Sequence, residues 1–60
     1  MKPSDEEVDM DVLSETENFT VMRTRDSEGT IYHVELGGVS LHLEPEEWEE
    51  LIVLIRSVGL

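Results

Sequence analysis

The chain has 60 residues, fifteen of them acidic and four basic, for a net charge of −11 at neutral pH. A surface this negative repels phosphate backbones and anionic lipids, which argues against direct binding to nucleic acid or membrane. The length allows one small domain, and with no cysteine neither a disulfide nor a thiolate zinc site can reinforce it.

Residues 1–18 carry seven carboxylates, and after Met1 only Val8, Met10, Val12 and Leu13 are apolar. Such a stretch buries too little to offset its ordering entropy, so it reads as a disordered acidic arm. Within it Val8, Met10 and Val12 alternate with Asp9 and Asp11, which is the period of a strand. Val8, Met10, Val12 and Leu13 are therefore the candidate residues of an arm that adds to a partner's sheet edge. Deleting such an arm should leave stability nearly unchanged.

Residues 19–60 are expected to form the folded domain. The fold class is α+β: a three-stranded antiparallel meander with one C-terminal helix packed on one face, in the order β-β-β-α. The first strand runs from Phe19 to Arg25. Asp26-Ser27-Glu28-Gly29 makes the turn, Asp opening it and Gly supplying a positive φ. The second strand runs from Thr30 to Leu36. Gly37-Gly38 is a two-residue hairpin loop, and Val39 to Leu43 is the third strand.

The Gly-Gly loop fixes a register. Leu36 faces Val39, Val34 faces Leu41, His33 faces His42 and Tyr32 faces Leu43. One face then carries Tyr32, Val34, Leu36, Val39, Leu41 and Leu43, and the other carries Ile31, His33, Glu35, Ser40 and His42. In the first hairpin, a four-residue loop places Phe19 and Val21 on the apolar face, with Arg23 beside Tyr32 and near Glu46 and Glu47.

The helix begins at Pro45, which suits a first helical position, and the glutamates after it suit the positive end of the dipole. Glu44 is not a favoured cap, so proline and charge are expected to set the start. Gly59 ends the helix. Trp48, Leu51, Ile52, Ile55 and Val58 form one stripe against the sheet. Val53 lies on the opposite side, Leu54 at the stripe's edge, and Leu60 near Val53. Val53, Leu54 and Leu60 are the candidate interface of a homodimer, which is the remaining way for so small a core to bury more surface. Edge pairing into a continuous six-stranded sheet is the alternative dimer.

His33 and His42 are the only metal-ligand candidates. Two ligands from one short hairpin, with no second shell, do not make a closed site, so no metal and no cofactor is expected. Catalysis is not expected either. There is no cysteine, and no serine or threonine stands at a recognisable spacing from a base.

The low lysine and high glutamate content resembles the composition of proteins from salt-accumulating organisms. The longest apolar run, Leu51 to Ile55, is far short of the ~20 residues of a membrane span, and no targeting segment is visible. These features describe a cytoplasmic, non-enzymatic protein-binding or regulatory module whose partner is itself or another, basic protein. Two alternatives share the same features. One is an acidic nucleic-acid mimic that inhibits a basic protein. The other is an antitoxin-like subunit that folds on its partner.

Overall fold

In the computed structural model, which describes residues 8–59, the elements in chain order are β1 (Asp9–Glu15), β2 (Phe19–Asp26), β3 (Gly29–Leu36), β4 (Val39–Leu43) and α1 (Pro45–Arg56). The strands form one antiparallel sheet in the order β1-β2-β3-β4, a meander throughout. The α+β class holds, with an antiparallel sheet and a C-terminal helix. The strand number does not: there are four strands, not three, and the additional one lies in the stretch expected to be a disordered arm.

The physical reason is where the charges fall. Asp9 pairs with Arg25 and Asp11 with Arg23 across the β1–β2 ladder, so two of the carboxylates that count against burial as a sum are each matched by a cation. The connection from β1 to β2 is tight. Thr16 N–H donates to the Phe19 carbonyl at 2.8 Å, and Phe19 N–H donates to Thr16 Oγ1 at 3.2 Å. The ladder slips between Val12 and Ser14, leaving Leu13 as the extra residue of a β-bulge.

Registers in the two later hairpins are those of the sequence. Phe19 faces Leu36, Val21 faces Val34 and Arg23 faces Tyr32; Val34 faces Leu41 and His33 faces His42. In the first of these hairpins pairing continues to Asp26 and Gly29, and the Asp26 carboxylate accepts the Glu28 N–H at 2.8 Å inside the turn. In the second, Gly37 takes a φ of 66°, the first-position requirement of a type II′ loop.

The helix starts as proline and charge predict, with one addition. The Glu47 carboxylate reaches back and accepts the Glu44 N–H at 2.9 Å, so a glutamate in the first turn satisfies a backbone donor at the cap. At the other end Ser57 Oγ donates to the Val53 carbonyl at 2.8 Å. The helix packs on β3 and β4 only. Trp48, Leu51 and Ile52 are half-buried there, whereas Ile55 and Val58, expected in the same stripe, are exposed. Over β1 and β2 the same face of the sheet carries ion pairs instead of a helix.

Candidate interaction site

Among the described residues only Val34, 7% exposed, is a buried hydrophobic. It sits in a central strand, on the face that α1 covers. Around it the large apolar side chains remain open. On that face Phe19, Leu36 and Val39 form one continuous cross-strand row at the Gly37-Gly38 end, and Phe19 and Val39 are 52% and 54% exposed.

Two of the three expected interface residues behave as a surface. Val53 is 60% and Leu54 is 64% exposed. Leu60 lies outside the described residues. The two residues face different surroundings. Leu54 lines a groove of about 250 Å³ with Leu41, Leu43, Glu47, Glu50 and Leu51, at the open edge of β4. Val53 does not contribute to it.

The expected arm residues are placed differently from the expectation. Val8 precedes β1, while Met10, Val12 and Leu13 lie within it, so they belong to the protein's own sheet rather than to a partner's. Met10 is opposite Thr24 and Val12 opposite Met22, on the face away from α1. All four side chains are exposed. β2, expected to be an edge strand, is therefore internal, and the free edges belong to β1 and β4.

Arg23 was expected near Glu46 or Glu47. It turns instead to β1, where its Nη2 donates to Asp11 Oδ2 at 3.0 Å. The shift of partner follows from the fourth strand, which brings a carboxylate directly opposite. Asp11, and after it the Tyr32 hydroxyl, hold the Arg23 guanidinium above its ordinary value. Arg25 extends the cluster, with its Nη2 3.9 Å from Asp11 and 4.0 Å from Asp9. Arg23 Nε is buried and has no hydrogen-bond partner among the described residues.

His33 and His42 meet edge to face, with ring centroids 4.9 Å apart and planes 88° from parallel. Thr24 Oγ1 lies 2.8 Å from His33 Nε2, so one nitrogen of that ring is already engaged. Glu35, a carboxylate on this face, accepts a bond from Ser40 Oγ at 2.6 Å. Among the described residues no group of three or more His, Asp or Glu side chains is placed to hold a metal ion. A second hollow of about 470 Å³ lies between the β2–β3 turn and the helix start, lined by Asp26, Glu28, Gly29, Thr30, Ile31, Glu44 and Pro45.

The stack of Tyr32 on Trp48 was not anticipated as such, although both residues were placed in the core. Its signal was present: Tyr32 shares a row with Leu43, and Trp48 lies one turn into the helix that follows Leu43. Among the described residues no helix is long and apolar enough to cross a membrane. No protein-family model, no curated protein and no solved structure matches the chain.

Proposed function

We propose that this protein is a small cytoplasmic, non-enzymatic protein-binding or regulatory module that works as a homodimer. One observation carries the reading. A domain with a single buried hydrophobic side chain among the described residues leaves Phe19, Val39, Val53 and Leu54 largely open. That much exposed apolar side chain on so small a domain is what association covers.

The interface candidates Val53 and Leu54 support the dimer, as does the exposed row Phe19–Leu36–Val39. Sedimentation equilibrium over a hundredfold range of protein concentration tests it. A mass that rises from about 7 to about 14 kDa supports the reading, since one chain weighs 6.9 kDa. A constant 6.9 kDa overturns it.

A second reading has its own observation. Glu44, Glu46, Glu47, Glu49 and Glu50 are all exposed, and they form one negative surface around the helix start. Such a surface suits an acidic nucleic-acid mimic that occupies the groove of a basic protein. Binding of that kind weakens steeply with salt, which separates it from an apolar contact.

A further inference from the structure

We propose that a second copy of this chain pairs antiparallel along the open edge of β4, continuing the four-stranded sheet into one of eight strands. The inference rests on the homodimer reading and says where the contact runs.

The two edges of the sheet are not alike. β1 carries Asp9, Asp11 and Glu15 and is broken by the bulge at Leu13. Charge and bulges are the devices that deter edge-to-edge pairing. β4 reads Val-Ser-Leu-His-Leu and has neither. It is the only strand of the four without an Asp, Glu, Lys or Arg, and it contains no proline. In a chain of net charge −11, it is the one strand edge whose own side chains bring no carboxylates into opposition when two copies meet.

The hairpin determines which backbone groups are free. A two-residue loop closes on a hydrogen-bonded pair, here Leu36 and Val39. Alternation along an antiparallel ladder then turns the N–H and C=O of Leu41 and Leu43 toward β3, and those of Ser40 and His42 toward the open edge. A two-fold axis through Leu41 satisfies them. Ser40 N–H donates to the His42 carbonyl of the second copy, His42 N–H donates to its Ser40 carbonyl, and the symmetry repeats both bonds. Leu41 then faces its own counterpart.

The side chains agree with that axis. The groove beside β4 is lined by Leu41, Leu43, Leu51 and Leu54. An added β4 strand presents Val39, Leu41 and Leu43 on the same face, directly into it. Because α1 packs only on β3 and β4, each helix sits about one strand spacing from the axis. The two helices are then roughly 10 Å apart, the interaxial distance of packed helices. A strand edge alone falls short of the ~1,200 Å² of a stable interface, and the helix pair supplies the rest. Leu54 becomes buried. Val53, outside the groove, stays in solvent.

Charge predicts the sign of the salt effect. Glu47 and Glu50 rim the groove and face the second copy, and the whole chain repels its twin. Screening relieves that repulsion, so this dimer tightens as salt rises. A basic partner strand on the same edge would bind more weakly as salt rises.

The test is sedimentation equilibrium of the full chain in 0.1 M and 2 M KCl, with Ser40→Pro, Leu54→Asp and Val53→Asp beside the wild type. The Ser40 N–H points away from β3, so proline there spares the β3–β4 ladder and blocks only the edge. The expected result is a wild-type dimer at least tenfold tighter in 2 M KCl. Ser40→Pro and Leu54→Asp should be monomeric and Val53→Asp dimeric. Amide exchange of the wild type gives a readout independent of any variant's folding, because protection of Ser40 and His42 should grow with protein concentration. A wild-type dimer without that protection, or one broken by Val53→Asp alone, overturns the edge contact and leaves the homodimer reading standing. A wild type monomeric in both salts overturns the homodimer reading itself.

Discussion

Tyr32 and Trp48 stack face to face, with ring centroids 4.8 Å apart and planes 5° from parallel. This contact ties the first turn of α1 to the middle of β3, on a helix that has no fully buried residue of its own. Trp48→Ala should therefore cost about 2–3 kcal/mol, from lost apolar burial and the stack together. A domain of this size holds only ~3–5 kcal/mol, so the variant should keep only about 0–3 kcal/mol of stability. Urea melts followed by circular dichroism, at fixed protein concentration, check this. A loss below ~1 kcal/mol would show that the helix is held elsewhere.

Removing β1 should matter. Deleting residues 1–16 takes away a whole ladder with β2, the Thr16 turn and the carboxylate opposite Arg23. The melting temperature should fall by at least about 5–10 °C, the shift that a loss of 1–2 kcal/mol produces in a domain this small. Asp11→Asn alone should lower it less, because the ion pair is partly open to solvent and the ladder stays in place. Differential scanning calorimetry distinguishes the two. An unchanged melting temperature on deletion would mean that β1 does not belong to the folded body.

The parts of the fold that were legible are those where two independent signals agree. Gly37-Gly38 demanded a two-residue loop, and the resulting register put Tyr32, Val34, Leu36, Val39, Leu41 and Leu43 on one face. The structure has that register. β1 was hidden because its carboxylates were summed rather than placed. The alternation of Val8, Met10 and Val12 was visible. What tipped the balance toward disorder was the total of seven carboxylates against few apolar residues, and two of those carboxylates, Asp9 and Asp11, sit opposite the arginines of β2. The interface candidates were legible as a face of the helix and no further. Periodicity separates Val53 and Leu54 from the core stripe. It does not say which way the helix crosses the sheet, and that direction is what puts Leu54 beside the edge of β4.

The histidine pair should be indifferent to metal. His33 already has one ring nitrogen at Thr24 Oγ1, and Glu35 is bonded to Ser40. Zinc at 100 µM, or excess EDTA, should leave the melting temperature within about 1 °C, because a ligand stabilises only in proportion to its binding to the folded state. His42→Ala should be as insensitive as the wild type. A zinc-dependent rise that His42→Ala abolishes would reveal a site that the imidazole pair and a mobile carboxylate build together.

Gly37 is the position where backbone conformation alone should decide a substitution. Its φ of 66° lies in the left-handed region, and a Cβ added there meets nothing within 4 Å. Steric crowding by neighbours is thus absent, and the penalty is purely conformational. Gly37→Ala should cost about 1 kcal/mol or more, and Gly37→Asn a similar amount, since the first position of a type II′ loop lies outside the αL basin that asparagine tolerates. A β-branched residue should be worse than alanine, so Gly37→Val is the severe case. Gly38 has no positive φ and also has open space around it, so Gly38→Ala should be nearly neutral. Because the loop sets the β3–β4 register, and with it the outward placement of Ser40 and His42, Gly37→Val should weaken the dimer as well as the fold. Urea melts of the four variants give the ranking, and equal losses at Gly37 and Gly38 would show that the loop does not require a positive φ at its first position.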